Sequence, residues 1–451
     1  MGKLFGTDGI RGIANEDLTC DLALKLGKAS AYVLGKEYEN LTVIVGRDTR
    51  ISGQMLSSSI CAGLMSMGAN IIDAGIIPTP AISYLVKEMN CNMGVMITAS
   101  HNPSEHNGIK LFDSEGFKLL DETEDEIEDY LLGKGIPSSK KIGTYRYDEN
   151  AKNKYIDYLI SCVDLHKFKQ NIVVDCANGS ASITSPLLFE RLNINANLIN
   201  KDYNGYNIND NCGSTKLNNL IETVKSTNAS LGVAYDGDAD RCLLVDSKGN
   251  IINGDHVLAI LAKYLKKYDN FDANTIVGTI MSNLGLKKFC EKENINFSET
   301  KVGDRYVLEN MLANRYTLGG EQSGHIIFKD YLNTGAGELT SIKILEVLNH
   351  EHKTLDELKD TITVYPQVLK NVQISKEGKE HFAEDMEFMK IVNEITEELN
   401  GNGRVIIRPS GTEDLVRVMV EGMDIDKINE YADTLVNYLK NKYKVLSRVK
   451  R

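Results

Sequence analysis

A serine whose hydroxyl could be covalently modified stands shortly after a predicted strand. The apolar run 93–97 predicts a buried strand, and Ser100 follows it in a segment that Asn102 and Pro103 turn away from extended pairing. Ligands of open α/β sheets bind at this edge, so the hydroxyl would lie on a rigid support where a substrate can reach it. The same residue types are also typical of an ordinary turn without chemistry.

Three aspartates alternate along the turn after another predicted strand, at Asp236, Asp238 and Asp240. Carboxylates this close repel one another by about 1 kcal/mol or more per pair, so a chain rarely keeps them together without a cation. Oxygen ligands favour Mg²⁺, Mn²⁺ or Ca²⁺ over Zn²⁺. An EF-hand is excluded because Arg241 and Ser247 stand where it needs glycine and glutamate. The spacing therefore predicts a divalent metal site of another kind.

A second interpretation of the three aspartates, as part of a different kind of active site, stays open. A strand followed by Asp-x-Asp also begins the active site of phosphatases and mutases of the haloacid-dehalogenase type. In that case Asp236 would be the nucleophile and Ser100 would take no part. That pattern has Thr or Val two positions after its second aspartate, whereas this chain has Asp240, which suits a metal site better.

Two further loops carry groups that could bind a sugar phosphate. The loop 319–325 is flanked by glycines, and its Glu321 and Ser323 could bind sugar hydroxyls. The loop 408–413, with Arg417 beyond it, combines guanidinium groups, hydroxyls and amides, which satisfy phosphate oxygens. Either loop alone is also typical of a plain turn. Neither a Walker loop nor a G-x-G-x-x-G stretch occurs, so ATP and NAD are not indicated. Together the motifs indicate phosphoryl transfer on a sugar phosphate.

Alternating strand and helix patterns must position these groups. Most of the chain predicts an α/β fold with parallel sheets, and its 451 residues exceed what one core usually serves. We expect four domains, the last a smaller α+β domain. The acidic run 121–129 predicts a solvated helix start. Each predicted domain carries one of the four motifs. Domain 1–154 carries the serine loop (98–103), and domain 155–253 carries the metal loop (236–241). Domain 254–363 carries the sugar loop (319–325), and domain 364–451 carries the phosphate loop (408–413).

The composition limits the classes of binding partner and the cellular compartment that we expect for the chain. The formal net charge of -12 argues against a general nucleic-acid or anionic-membrane binder, so an anionic ligand would need a locally basic or metal-bearing cleft. Eight cysteines are scattered without a C-x-x-C pair, which favours reduced thiols in the cytoplasm over disulfides or zinc. The first residues lack a signal peptide, and no apolar run reaches transmembrane length. We therefore expect a cytoplasmic protein without a membrane or nucleic-acid partner.

The chain resembles the α-D-phosphohexomutase superfamily over essentially its whole length. The resemblance rests on four ordered motifs and the glycine-punctuated opening, at 98–103, 236–241, 320–325, 408–413 and 5–12. It implies four domains around a central cleft, of which the first three are similar α/β units. Gln322, between Glu321 and Ser323, resembles the glucosamine branch, whereas phosphomannomutase/phosphoglucomutase types usually carry Met there. The segment 333–338 and Asp414 depart from the family's pattern, which affects expected loop mobility and affinity rather than the reaction.

The resemblance also implies a role for each site residue. Ser100 is expected to carry a phosphoryl group and, with Asp236, Asp238 and Asp240, to hold one Mg²⁺ per chain. Groups expected to assist proton transfer or stabilise charge are Arg11, His101, Lys110 and His325. Groups expected to hold the substrate are Asp304, Arg305, Glu321, Ser323, Arg408, Ser410, Gly411, Thr412 and Arg417.

The implied reaction interconverts glucosamine 6-phosphate and glucosamine 1-phosphate, on the path to UDP-N-acetylglucosamine and cell-wall precursors. It would proceed through a phosphoserine and a bisphosphate, with glucosamine or glucose 1,6-bisphosphate as primer. The expected partner is a small sugar phosphate, and a homodimer is a further expectation. The alternatives are a phosphomannomutase/phosphoglucomutase of the same superfamily and a non-catalytic sugar-phosphate sensor.

Overall fold

The computed structural model describes residues 4–6, 8–165, 168–268, 271–410 and 415–443. The chain divides into two compact units. The larger unit comprises residues 1–282 and 290–361, and the smaller unit comprises residues 283–289 and 362–451. None of the helices in the described ranges combines the length and apolar character needed to cross a bilayer.

The first sheet of the larger unit has six strands in the order β1-β5-β4-β2-β3-β6. Its elements are β1 (Ile10–Ile13), α1 (Cys20–Leu34), β2 (Thr42–Arg47), α2 (Ile51–Met65), β3 (Asn70–Ile76), α3 (Thr79–Glu88), β4 (Met93–Ile97), β5 (His106–Phe112), α4 (Asp121–Asp129) and β6 (Tyr145–Tyr147). The predicted parallel pairing holds for β2 with β3 and β4, whereas β5 runs antiparallel to β4 and β1. The serine loop therefore joins two antiparallel neighbours.

The second sheet has the order β11-β10-β9-β7-β8. Its elements are α5 (Ala151–Ser161), β7 (Ile172–Asp175), α6 (Ala181–Arg191), β8 (Ala196–Ile199), α7 (Asn218–Thr227), β9 (Leu231–Tyr235), β10 (Cys242–Asp246) and β11 (Ile251–Ile252). Every residue of β9 is buried, as its uninterrupted apolar run predicts. The turn from β9 into antiparallel β10 carries the three aspartates.

The third sheet has the order β13-β12-β14-β15. The elements in this part of the chain are α8 (Gly254–Tyr268), β12 (Thr275–Thr279), α9 (Leu284–Glu293), β13 (Asn296–Thr300), α10 (Asp304–Asn314), β14 (Leu318–Gly320), β15 (Ile326–Phe328), α11 (Gly337–Glu351) and α12 (Leu355–Leu358). The sugar loop is the turn between antiparallel β14 and β15.

The smaller unit is built on an antiparallel sheet in the order β16-β18-β17. The strands and helices in this part of the chain are β16 (Gln367–Gln373), α13 (Lys376–His381), α14 (Met386–Leu399), β17 (Gly403–Pro409), β18 (Leu415–Gly422) and α15 (Ile425–Lys442). Phe388, Val418 and Leu435 are fully buried between the sheet and its helices. The α/β fold class is thereby confirmed, while the four domain boundaries stay predictions.

The acidic helix α4 differs from the solvated helix start that its sequence predicts. Glu124 and Glu128 are buried. Oε2 of Glu128 accepts the amides of Leu4 at 2.8 Å and Phe5 at 3.0 Å, so this carboxylate anchors the opening loop. Burial raises the pKa of Glu124 to about 7. The prediction was wrong for these side chains, and the amides that Glu128 binds lie more than a hundred residues away in sequence.

A pair of glycines tests how tightly the chain after β5 is packed. Gly116 and Gly135 both have positive φ, +82° and +76°, so alanine at either position strains the backbone. At Gly116 the new Cβ would also lie 2.1 Å from the Ser83 carbonyl oxygen, whereas nothing lies within 4 Å at Gly135. We expect Gly116→Ala to lower the free energy of unfolding by about 1–3 kcal/mol more than Gly135→Ala, measured by urea denaturation. Equal losses would contradict this close packing.

Candidate active site

The hydroxyl of Ser100 points at the aspartate turn. Its Oγ donates to Oδ2 of Asp236 at 2.6 Å, although 136 positions separate the two residues. Ser100 is 1% exposed and has a φ of +51°, a left-handed conformation that residues other than glycine adopt at a cost. The backbone therefore holds the serine in one orientation, with its hydroxyl beside three carboxylates.

The three aspartates form a cluster that fits a divalent cation. Carboxylate oxygens of Asp236, Asp238 and Asp240 lie within 4.8 Å of one another, and all three side chains are buried. Oδ1 of Asp238 and Oδ1 of Asp240 are buried and have no hydrogen-bond partner among the described residues. Burial, together with the two neighbouring carboxylates, raises the pKa of Asp236 well above its usual value. A cation bound by these oxygens would relieve both the repulsion and the missing partners.

Helix α3 supports the cluster at its N-terminus. Thr79 Oγ1 donates to Oδ2 of Asp238 at 2.6 Å, and the amide of Thr79 donates to the Asp238 carbonyl oxygen at 3.0 Å. The positive end of the helix dipole thus faces an acidic side chain, which is the favourable arrangement. These contacts fix the metal loop against the first sheet.

Lys110 places a buried positive charge beside the carboxylates. Its Nζ lies 3.0 Å from Asp238, 3.1 Å from Asp8 and 3.6 Å from Asp240, and the residue is 1% exposed. Burial disfavours the charged ammonium, but these carboxylates outweigh it and raise the pKa of Lys110. The side chain is therefore a permanent cation, suited to stabilising charge rather than to accepting a proton.

A chain of alternating charges extends from Lys110, and the sequence did not predict all of it. Asp8 contacts Lys110, Arg11 and Lys118, and Lys118 lies 2.6 Å from Asp304. Despite its burial, these cations hold the pKa of Asp8 well below its usual value. Arg11 and Asp304 were candidates, but Asp8 and Lys118 were missed. Asp8 stood within the opening motif, whereas no sequence signal marked Lys118.

The two histidines differ in their surroundings. His101 Nδ1 lies 3.4 Å from Ser100 Oγ, and burial, together with Arg241 and Arg11, lowers the pKa of His101 to about 4. His325 Nδ1 lies 3.6 Å from Asp240. Burial disfavours a charged His325, but nearby carboxylates outweigh it and raise its pKa. Both imidazoles lie within the cluster, and His101 is the one beside the serine.

Arg241, a residue missed as a candidate, completes the cluster on the metal loop. Its amide donates to Oδ1 of Asp236 at 3.2 Å, and its Nε lies 3.8 Å from Asp240. Nε is buried without a hydrogen-bond partner in the part of the chain described. The signal was present in the sequence, because this arginine directly follows the third aspartate.

The sugar loop brings a carboxylate and a buried hydroxyl next to this cluster. Glu321 Oε1 accepts the amide of Gly303 at 3.1 Å, and burial raises the pKa of Glu321. Ser323 Oγ is buried and finds no partner among the described residues. The 333–338 segment, which departs from the family's pattern, donates the Gly335 amide to His325 Nε2 at 3.0 Å.

Arg305 is held by carboxylates of its own. Its guanidinium contacts Asp121, and its Nε donates to Glu309 at 2.9 Å. Asp304 precedes it at the first position of α10, beside Lys118 and 3.8 Å from His325. The structure therefore brings Asp304 into the charged chain, while Arg305 joins α10 to α4.

The predicted phosphate loop lies in the smaller unit. Arg408 and Arg417 are directly opposite each other in β17 and β18, so two like charges face each other across one strand pair. Burial and the charge of Arg417 lower the pKa of Arg408. Ser410 is buried, and its amide donates to the Leu415 carbonyl at 2.9 Å. An anion between the arginines would offset their repulsion. Gly411, Thr412 and Asp414 lie outside the described residues.

Four family models match the chain in sequence order. They are the phosphoglucomutase/phosphomannomutase alpha/beta/alpha domains I, II and III and the C-terminal domain of the same family. They match residues 2–134, 153–249, 253–365 and 369–437 respectively.

Curated relatives match over nearly the full length. The phosphoglucosamine mutases of Clostridium acetobutylicum and Caldicellulosiruptor saccharolyticus are each 47% identical, over 446 and 447 residues. A phosphoglucosamine mutase of Clostridium botulinum is 49% identical over 451 residues. Each match covers 98% of this chain and 100% of the relative.

Solved structures share the fold at lower identity. A phosphoglucomutase/phosphomannomutase family protein from Burkholderia thailandensis has a TM-score of 0.80 at 22% identity and covers 98% of both chains. N-acetylphosphoglucosamine mutase from Aspergillus fumigatus, in complex with GlcNAc-6P and magnesium, has a TM-score of 0.68 at 18% identity. That match covers 97% of this chain and 95% of the other.

Removing one carboxylate tests the metal site directly. We expect Asp240→Asn to weaken Mn²⁺ binding by about tenfold or more, because a charged ligand becomes neutral. Asp202→Asn is the control, since the Asp202 side chain is 92% exposed and lies outside the cluster. Free Mn²⁺ measured by electron paramagnetic resonance during titration reads out both variants. Equal affinities would remove Asp240 from the metal site.

Proposed function

The chain belongs to the phosphoglucomutase/phosphomannomutase family, and we propose that it acts as a phosphoglucosamine mutase interconverting glucosamine 6-phosphate and glucosamine 1-phosphate. The observation that carries this proposal is the buried Ser100 hydroxyl, 2.6 Å from Asp236 inside a cluster of three carboxylates and Lys110. The full-length relatives named phosphoglucosamine mutase support the choice of an amino-sugar substrate.

The aspartate cluster is suited to Mg²⁺. Buried, unpartnered oxygens on Asp238 and Asp240 are hard donors, which this ion prefers. We assign Asp236, Asp238 and Asp240, together with the phosphate on Ser100, to one ion per chain. When bound, the ion supplies electrostatic stabilisation of the charge on the transferring phosphoryl group.

Each half-reaction moves one phosphoryl group between Ser100 and the sugar. The bond from phosphorus to Ser100 Oγ breaks as a bond forms to the free sugar hydroxyl, whose proton must leave. This gives a sugar bisphosphate, and its other phosphate returns to Ser100 after the intermediate turns around. Lys110, held as a cation, stabilises the developing charge, and Asp236 orients the hydroxyl when the serine is free. The proton of the sugar hydroxyl ends on Ser100 Oγ, whose bond to phosphorus has broken, and His101, with its Nδ1 3.4 Å from that oxygen, is the imidazole placed to assist this transfer.

Other residues are assigned to holding the substrate. Glu321 and Ser323 offer a carboxylate and a free buried hydroxyl to the sugar hydroxyls. Arg408 and Arg417, with Ser410, Gly411 and Thr412, would bind the phosphate that is not being transferred. Each of the two phosphates must fit there in turn, so the site has to recognise phosphate rather than one sugar position.

The remaining parts of the proposal follow from this reaction. A hexose 1,6-bisphosphate would prime Ser100, and the product would feed UDP-N-acetylglucosamine synthesis in the cytoplasm. The homodimer stays a prediction.

Substitution of the serine tests the nucleophile. We expect Ser100→Ala to abolish conversion of glucosamine 6-phosphate, because no other hydroxyl is held against Asp236 in the described residues. Ser104→Ala, on the same loop, should keep the wild-type rate. Turnover with Mg²⁺ and glucose 1,6-bisphosphate, together with the mass of the peptide containing residue 100, measures both effects. Retained turnover in Ser100→Ala, or phosphate found on Asp236, would reject the assignment.

Comparison of substrates tests the proposed specificity. We expect kcat/KM to be at least about tenfold higher for glucosamine 6-phosphate than for glucose or mannose phosphates, as one well-placed polar contact allows. Coupled assays on the three sugars under one set of conditions give the ratio. A preference for glucose or mannose phosphate would identify the chain as a phosphomannomutase/phosphoglucomutase instead.

A further inference from the structure

We propose that Arg50 and Asn209 are positioning residues that hold the Ser100 loop in the conformation that aims its hydroxyl at Asp236. The inference rests on the proposed function, because it takes Ser100 as the group that carries the phosphoryl. In the part of the chain that the structure describes, the hydrogen bonds of both side chains to this loop go to backbone carbonyls and not to Ser100 Oγ. Both act on the backbone of the loop.

The Ser100 loop needs such support because its backbone is strained. A residue other than glycine at φ +51° costs about 1–2 kcal/mol, and at 1% exposure no solvent hydrogen bonds compensate. The backbone amide of Ser100 donates to Thr98 Oγ1 at 3.0 Å, so it has a partner. The backbone carbonyl oxygen of Ser100 must also find donors inside the protein.

Arg50 supplies donors from the first sheet. Its Nη2 donates to the carbonyl oxygens of Ser100 and Asn102, both at 2.9 Å. Its Nη1 donates to the carbonyls of Pro103 and, at 3.0 Å, His106. One planar guanidinium, 2% exposed, thus binds three carbonyls of the serine loop and the carbonyl of His106, the first residue of β5.

Asp48 fixes the guanidinium itself. Its Oδ2 accepts both Arg50 Nε at 2.9 Å and Thr98 Oγ1 at 2.7 Å, and Oδ1 accepts the Arg50 amide at 3.0 Å. Both charged side chains are fully buried, so either one without the other would be an unpaired charge inside the protein, which is strongly destabilising. The end of β4, the arginine and the serine loop are therefore one network.

Asn209 reaches the same carbonyls from the part of the chain that carries the metal loop. Its Nδ2 donates to Ser100 O at 2.9 Å and to Asn102 O at 3.1 Å. Gly237 lies against the same oxygen, since a Cβ there would be 2.6 Å from Ser100 O. The carbonyl of Ser100 is thus the point where the serine loop, Arg50, Asn209 and the metal loop meet.

The consequence for catalysis is specific. Loosening this carbonyl would let Ser100 Oγ drift from Asp236 without touching the groups assigned to the sugar or to the second phosphate. A misplaced nucleophile slows the chemical step, so kcat should fall while KM stays nearly constant. A general loss of folding would instead lower the amount of active protein and the unfolding midpoint.

A matched pair of asparagines in one turn tests this. Asn209 and Asn211 both have left-handed φ, 57° and 53°, which glycine adopts freely, so substitution by glycine adds no backbone strain. The Asn211 side chain donates instead to its neighbour Asp210. We expect Asn209→Gly to lower kcat at least about threefold, because it removes two hydrogen bonds that are each worth about threefold to tenfold, with KM changed by less than about twofold. Asn211→Gly should match the wild type.

Lysine at position 50 gives a second, larger perturbation. Arg50→Lys keeps the charge but offers one nitrogen to four carbonyls, so we expect kcat to fall about thirtyfold or more. Arg47→Lys is its control, because the Arg47 guanidinium donates to Gln54, which lies outside the serine loop. Should Arg50→Lys fail to fold, the asparagine pair still decides the question.

The outcomes separate this inference from the proposed function. Rates are compared on whichever hexose phosphate the wild type converts best, alongside the unfolding midpoint of each variant. Equal kcat for Asn209→Gly and Asn211→Gly, or a raised KM at unchanged kcat, would overturn the positioning role and leave the proposed function standing. A wild type that prefers glucose or mannose phosphate would contradict the proposed substrate and leave the comparison of variants intact.

Discussion

Burial of three carboxylates beside one another is the constraint on which the rest of the site depends. Removing each ion from water costs several kcal/mol, and the mutual repulsion of Asp236, Asp238 and Asp240 adds to that cost. Lys110 offsets part of the negative charge, and Thr79 satisfies one oxygen of Asp238. Two buried oxygens are still left without partners in the described structure, and a divalent cation is the group that suits them. A bound cation would supply the missing positive charge, which explains how the fold tolerates the cluster.

The same requirement explains the alternating charges that lead away from the cluster. Lys110, Asp8, Lys118 and Asp304 follow one another in contact, each between neighbours of opposite sign. Asp8 contacts three cations at once, so its removal would leave Arg11, Lys110 and Lys118 each with one carboxylate partner fewer. Such a network has one low-energy arrangement, so it fixes the opening loop, the segment after β5 and the start of α10 against one another. Rigid placement of these loops holds the reacting groups in the geometry that phosphoryl transfer requires.

The sequence predicted the site better than its supporting structure. The i, i+2, i+4 aspartates and the serine after a buried strand follow local patterns, so they could be found without the fold. Lys118 and the buried carboxylates of 121–129 could not, because a lone charge in a loop or helix is normally solvated. Their partners are distant in sequence, as Lys118 and Asp304 show at a separation of 186 positions. The antiparallel course of β5 was likewise set by tertiary pairing rather than by its own residues.

The geometry also bears on which oxygen receives the phosphoryl group. For an aspartyl nucleophile, as in the haloacid-dehalogenase alternative, Asp236 would need an oxygen directed at the substrate. Its Oδ2 instead accepts the Ser100 hydroxyl and its Oδ1 accepts the Arg241 amide, so both oxygens are engaged. The serine, by contrast, is held in a strained turn with its hydroxyl aimed into the cluster, an arrangement that costs energy and favours a role for that hydroxyl in the chemistry.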